Sequence, residues 1–339
     1  MTSLRDPASP PAATAGTAAT PRRGLVLGAG GVLGAAWTIG ALAALEGTTG
    51  WDPRDGEVVV GTSAGSILAA FFGSGVGIDS MVRHQQGIVV EGDRRIDYDH
   101  DRDAGGAFPP LPRPRLGSSR LLRQTVLHPR SLTPAAAFTS MLPAGRGSLA
   151  PVGRLVDSVA ADRWPTAPRT WVVAMDYDSG RRTVFGREGS PAASLRDAVS
   201  ASCAIPGWYA PQAINGRRYV DGGVCSATSL DLVAPLGLDE VFVLAPMASF
   251  SYDEPATLAG RLERRYRRVI TRRLEREADK VRAAGTRVVM LGPGEQDLRA
   301  IGANLMDPRR RKAVFSTAVR TSSDALRAAT SEAGLAATG

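Results

Sequence analysis

Three consecutive valines, Val58-Val59-Val60, run straight into Gly61-Thr62-Ser63-Ala64-Gly65, and an apolar segment over residues 66–72 follows without a break. A β-branched run, a serine bracketed by glycines and a helix-forming stretch, in that order, predict a strand that turns sharply into a helix. The turn is too tight for a side chain at Gly61 or Gly65, and Ser63 projects from it. A helix starting there directs unpaired N–H groups and the positive end of its dipole at the serine oxygen, which favours a developing alkoxide. Ser63 is thus a candidate nucleophile, with Thr62 and Ala64 completing the motif. A glycine-rich strand-to-helix turn without chemistry has the same local pattern, so the rest of the chain decides between them.

A second turn of this kind lies upstream. Residues 24–27 read as a buried strand, Gly28-Ala29-Gly30-Gly31-Val32-Leu33-Gly34 as a turn, and residues 35–46 as an apolar helix. A dinucleotide fingerprint misses by one position in either frame: counted from Gly28 its last glycine falls on Leu33, and counted back from Gly34 its first falls on Ala29. A P-loop needs a lysine, and the first in the chain is Lys280. The turn is better suited to bringing backbone N–H groups close to an anion, as an oxyanion hole does. Tight packing is the plainer alternative.

Downstream, residues 79–90 look helical. From residue 91 to 151 the texture changes to alternating Asp and Arg and a proline-rich run, read as an inserted cap or lid with short helices over 119–127 and 134–141. Leu121, Leu122, Val126, Phe138 and Met141 are its apolar residues, available for a pocket mouth or for packing on the main domain. Strands follow at 171–175 and 182–185, then a helix at 194–202. Asn215-Gly216 marks a two-residue hairpin whose second strand, 218–220, leads into Asp221-Gly222-Gly223. A short helical stretch to residue 234, a strand at 241–245, a long charged helix at 255–284, a strand at 287–291 and a terminal helix at 308–329 complete the chain. Strands alternating with helices predict an α/β fold, a mainly parallel sheet with helices on both faces.

A serine nucleophile needs a group to take its proton, usually histidine. The three histidines, His84, His100 and His128, all precede Asp221, so the acid-then-histidine order of an ordinary α/β-hydrolase is unavailable. His84 reads as a helix residue, and His100 and His128 as solvated. Asp221, at a strand end and exposed by Gly222 and Gly223, is the natural partner.

At this point the chain resembles the patatin-like phospholipases, lipid acyl hydrolases that use a Ser-Asp dyad. The matching pieces are residues 29–34, the elbow Gly61 to Gly65, and Asp221-Gly222-Gly223, with residues 200–207 similar to the segment that precedes the acid. The resemblance implies Ser63 as nucleophile, Asp221 as base and the Gly30 and Gly31 amides as oxyanion hole, with no metal or organic cofactor. It departs at Ala29 and Leu33, where the family carries a glycine and a cation. From that departure, Leu33→Arg is expected to shift selectivity toward phospholipid. Two other classes stay open: a catalytically weak lipid-binding relative of the same fold, and a nucleotide-binding protein.

Composition adds bounds. Residues 1–23, rich in Ala, Pro and Thr, read as a disordered tail without a signal-peptide core, ahead of one acyl-hydrolase domain over 24–339. The longest apolar stretch, 33–45, is shorter than the roughly 20 residues a bilayer span takes, so a cytoplasmic protein, soluble or peripheral to a membrane, is expected. Cys203 and Cys225 lack metal-ligand spacing. Net charge is +8, carried almost wholly by arginine, which permits an anionic partner without requiring one; no nucleic acid is expected. In the long helix, Leu262, Tyr266, Val269, Ile270 and Leu274 form one stripe, expected to face the core. Arg264, Arg268 and Arg272 are expected to face anionic membrane head groups.

Overall fold

Runs of buried β-branched residues set the centre of the molecule. The computed structural model describes residues 20–337, apart from 93, 95, 101, 104, 105, 107, 113–115, 129–131, 161 and 162. Eight strands form one sheet: β1 (Arg23–Leu27), β2 (Val58–Thr62), β3 (Arg169–Asp176), β4 (Arg182–Phe185), β5 (Gln212–Ile214), β6 (Arg217–Asp221), β7 (Glu240–Leu244) and β8 (Arg287–Leu291). The order is β5-β6-β3-β2-β1-β7-β8, with β4 also on β3. From β3 through β8 the neighbours are parallel, whereas β4 and β6 run antiparallel to β3. The sheet is therefore mixed and mostly parallel.

The helices are α1 (Gly31–Thr49), α2 (Ala64–Gly73), α3 (Ile78–Gln86), α4 (Ser119–Leu127), α5 (Pro134–Met141), α6 (Ala150–Val159), α7 (Leu195–Ser202), α8 (Leu258–Ala283), α9 (Glu295–Ile301) and α10 (Arg311–Ala337). Alternation along the strands divides the core between them. Leu25, Leu27 and Val59 pack with α1, α2 and α10 on one face, and Val26, Val58 and Val60 with α8 on the other. Covered by the sheet, α3 and α10, α1 is apolar on every side. Its 19 residues are long and apolar enough to cross a membrane, but most of them are buried in the protein.

Several boundaries differ from expectation for local reasons. α1 starts at Gly31, within the glycine-rich turn, where Gly31 takes a φ of 61°. α3 stops at Gln86 because Gly87 adopts a left-handed φ of 79° and closes the helix end, so residues 88–90 are not helical. α6 and α9 were not expected; α6 straddles the end of the predicted cap at residue 151, and α9 spans only seven residues. β1 begins at Arg23, and Arg22 forms an ion pair with Glu57, so the tail predicted through residue 23 stops short of Arg22. Residues 1–19 of that tail lie outside those described.

Within the predicted cap, α4 and α5 form as expected, with Ser118 and Thr133 as N-caps. Leu121 is buried with Met175, Tyr177, Val220 and Cys225, whereas Val126, Phe138 and Met141 are exposed. None of these residues, nor Leu122, lines the cavity beside Ser63.

α8 keeps its predicted orientation only in part: Ile270 and Leu274 pack on the core as expected. Leu262, Tyr266 and Val269 are exposed, and Arg264 and Arg267 are buried instead. Contacts outside the helix decide this: Arg264 pairs with Asp253 and Arg267 donates to the Pro246 carbonyl, while Glu263 on α8 itself pairs with both arginines. Asp253 and Pro246 come from the segment between β7 and α8, whose contribution helical periodicity cannot register.

Candidate active site

β3 acts as the template for the site. Thr62, the last residue of β2, pairs with Val173, and Asp221, the last residue of β6, pairs with the next residue, Ala174. Because β4 occupies the other edge of β3 at Val172–Met175, antiparallel β6 has to fill the edge that β2 vacates. The two strands thus meet end to end, and Ser63 and Asp221 converge. The Ser63 hydroxyl and the Asp221 carboxylate come close enough for the hydroxyl to favour the charged carboxylate.

Ser63 sits at φ 54° and ψ −123°, a conformation that L-residues rarely adopt. The surroundings fix it there. A Cβ at Gly61 would fall 2.5 Å from the Gly65 carbonyl oxygen, and one at Gly65 would collide with the Leu27 carbonyl, so strand β2 and helix α2 approach closely only with glycine at both positions. The Ser63 N–H donates to Ser202 Oγ at 2.8 Å, and Ser202 Oγ donates to the Val173 carbonyl at 2.6 Å. Ser202, at the end of α7, therefore ties the elbow to β3. Its signal in the sequence is slight: one serine among several in the segment before the acid.

Asp221 is buried, and its carboxylate accepts from the Gly223 N–H at 2.7 Å. Burial pushes its pKa up to about 6, against the hydrogen bonds from Ser63 and Gly223, which favour the charged form. Gly222 packs where a Cβ would meet the Val173 carbonyl. Behind this turn, Glu277 of α8 accepts from Ser226 Oγ, Thr228 Oγ1 and the Leu230 N–H, which fixes the chain beyond the acid.

The glycine-rich turn lies opposite. Gly28 N–H donates to the Leu244 carbonyl, Ala29 N–H to Ala227, Leu33 N–H to Leu305 and Gly34 N–H to Gly30. At the head of α1 this leaves the Gly30, Gly31 and Val32 amides without an acceptor among the described residues. Gly30 packs so tightly that a Cβ would lie 2.7 Å from both Gly34 Cα and Pro246 Cγ. Leu33 is fully buried in the core. An arginine there would point away from any substrate, which overturns the expectation that Leu33→Arg would tune head-group selectivity.

Ser63, Ala64 and Gly31 open onto a largely apolar cavity between α1, α2, α3 and α6, lined further in by Ile39, Leu68, Phe71, Met81 and Leu155. Met306, beyond α9, also lines it. His84 and His100 belong to the same cavity, and His100 is half-buried instead of solvated. Their rings are 5.0 Å apart, and neither Nε2 has a hydrogen-bond partner among the described residues. Burial, reinforced by Arg311, lowers both, His100 to about 3, so the pair is uncharged near neutral pH. The Cys203 thiol, beside Ser66, is pushed up by burial and stays protonated.

This is an α/β protein with a serine elbow at the carboxyl end of a parallel strand and a buried aspartate facing it. A sequence model described as Patatin-like phospholipase matches residues 25–234, from β1 past the Asp221 turn. The chain belongs to the patatin-like phospholipase family, and lipid hydrolysis is the function that membership supports. Among solved structures, VipD from Legionella pneumophila is similar at 14% identity and a TM-score of 0.43, over 91% of this chain and 67% of VipD. The type III effector protein ExoU is similar at 17% identity and a TM-score of 0.35, over 91% of this chain and 53% of ExoU. This chain thus spans about half of the length of ExoU.

Proposed function

We propose that the protein cleaves carboxylic esters of lipids through an acyl-enzyme on Ser63, with Asp221 as the base. The observation that carries this reading is the end-to-end meeting of β2 and β6 on β3, which puts a strained serine against a buried carboxylate at the mouth of an apolar cavity. Ser63 Oγ attacks the ester carbonyl as its proton passes to Asp221, and the proton then goes to the departing alkoxide. Water, deprotonated in turn by Asp221, attacks the acyl-enzyme and returns the hydroxyl to Ser63.

Asp221 at about 6 is a better base than a solvated carboxylate, yet still a weak one for a hydroxyl. The free amides at Gly30 and Gly31 and the N-terminus of α2 therefore take on much of the barrier reduction, a single oxyanion donor being worth about 3 kcal/mol. The cavity suits an acyl chain, since it offers apolar walls and uncharged imidazoles. Hydrolysis of p-nitrophenyl esters and radiolabelled phospholipids by wild type, Ser63→Ala and Asp221→Asn tests the proposal, together with fluorophosphonate labelling mapped by mass spectrometry. Labelling and turnover that vanish in Ser63→Ala support it. A wild type that binds lipid but neither labels nor turns over any ester identifies the catalytically weak relative instead.

A further inference from the structure

α8 carries an outer surface that the fold leaves unused. Leu258, Leu262, Tyr266 and Val269 are 73%, 60%, 52% and 57% exposed. At about 100° per residue they share one stripe of the helix. Arg261, Arg265, Arg268 and Arg272 occupy the adjoining stripe and are exposed as well. These four make no ion pair with a carboxylate among the described residues: the ion pairs of α8 use Arg264, Arg267, Arg273 and Arg282. Arg268 lies over the Tyr252 ring, and Arg261 reaches the Pro255 carbonyl. An apolar band beside a row of unneutralised arginines is the pattern of a helix that lies in a membrane interface, its apolar side chains between the head groups and its cations on the phosphates.

The position of this surface gives it a purpose. Glu277 fastens α8 to the segment that follows the Asp221 turn, through Ser226, Thr228 and Leu230. On another side of that turn, α5 packs against Gly222–Val224 and exposes Phe138 and Met141 at 59% each. Apolar side chains thus stand exposed on two elements that contact the Asp221 turn or the segment that follows it.

We infer that the outer face of α8 docks the protein on anionic lipid bilayers by seating Leu258, Leu262 and Val269 among the acyl chains and the adjoining arginines on the phosphates. The inference rests on the lipid-hydrolase reading for its substrate but is tested separately from it. A row of exposed, unpaired cations favours an anionic bilayer over an acidic protein, because the stripe beside it offers only aliphatic and aromatic groups.

The test is sedimentation of the full chain with vesicles of phosphatidylcholine alone or mixed with phosphatidylserine, at low and high salt. Two variants are compared with wild type: Leu258→Ser with Leu262→Ser and Val269→Ser, and Arg261, Arg265, Arg268 and Arg272 all changed to Gln. Wild type is expected to prefer the mixed vesicles, and the arginine variant to lose at least about tenfold of that preference. The apolar variant is expected to bind more weakly at both salt concentrations, since burial of apolar surface is not screened. Both should hydrolyse a soluble ester at the wild-type rate, which also shows that they fold. Vesicle binding unchanged by both variants overturns the inference. So does a wild-type dimer in light scattering that dissociates in the apolar variant, since a second copy would then be the occupant. If wild type binds vesicles as expected but cleaves no ester, the docking surface stands and the hydrolase reading fails; turnover without binding gives the reverse.

Discussion

The Ser63 N–H donates to the hydroxyl of Ser202 at 2.8 Å, although the two residues are 139 positions apart in the chain. Ser202 passes the contact on to the Val173 carbonyl, so one buried hydroxyl satisfies groups on β2's elbow and on β3. Ser202→Ala leaves the donor and the acceptor unpartnered, and each such group costs about 1–3 kcal/mol. The expected result is a fall in stability of about 2–4 kcal/mol in urea unfolding, with a drop in kcat larger than any change in KM. Ser202→Thr keeps the hydroxyl and should recover part of both. A Ser202→Ala enzyme with wild-type kcat would mean that Ser63 holds its position without this tether.

Asp221 links activity to pH and stability. As the proposed base, Asp221 works only when ionised, so kcat/KM should rise with pH through about 6 and then level off. His84 and His100 are held neutral, and changing both to Phe should leave that midpoint in place, whatever it does to KM. The folded pKa lies above the ordinary 3.8, so the folded state binds the proton more tightly than the unfolded chain. The stability this gives is complete below about 4 and is lost as pH rises through about 6. Above that the buried charge costs on the order of 3 kcal/mol, from roughly two pKa units at 1.4 kcal/mol each. Asp221→Asn keeps an acceptor for Gly223 and carries no charge. It should therefore be inactive yet more stable than wild type at pH 8, and the difference should shrink toward pH 4 in thermal unfolding.

A separate strain belongs to Ser63 itself. Its φ of 54° with ψ −123° suits glycine, and such a residue stores about 1–3 kcal/mol. Both Ser63→Ala and Ser63→Gly remove the proposed nucleophile, but only glycine relieves the backbone. Ser63→Gly should be the more stable of the two by about 1 kcal/mol or more, even after glycine's extra unfolded-state entropy is counted. Equal unfolding midpoints would show the elbow to be unstrained.

What the sequence made legible follows range. The elbow, the glycine-rich turn, the Asn215-Gly216 hairpin and the alternation of strands with helices are signals within a dozen residues, and they placed the mixed, mostly parallel sheet. Contacts across the chain were not legible. Nothing local marks Ser202 as the acceptor for Ser63, Met306 as a wall of the cavity or Glu277 as the anchor of the acid turn. Leu33 looks substitutable when read beside Gly34, and only the packing of α1 between the sheet and α10 shows that its side chain is enclosed. Leu33→Arg should accordingly destabilise by more than about 3 kcal/mol, or fail to accumulate as soluble protein, because it buries an unpaired charge.

The buried arginines of α8 were hidden for the same reason, and they carry the last prediction. Arg267 is completely enclosed: Nε donates to Glu263 at 2.5 Å and Nη1 to the Pro246 carbonyl at 2.5 Å. Pro246 in turn packs against Gly30 and Gly34, so a line of contact runs from α8 to the turn that holds the unpaired Gly30 and Gly31 amides. Removing one member of a buried ion pair costs about 3–5 kcal/mol, since its partner stays behind uncompensated. Arg267→Ala should show that loss and also a reduced kcat on a soluble ester, as Pro246 and the turn relax. Glu263→Ala should be destabilised too, because it strips the shared carboxylate from Arg264 and Arg267 at once. The double variant should then cost less than the two singles added together, the mark of residues in one network. By contrast Arg265→Ala, on the exposed face of the same helix, should stay within about 0.5 kcal/mol of wild type. Strictly additive losses at 263 and 267 would show that the two side chains stabilise α8 independently.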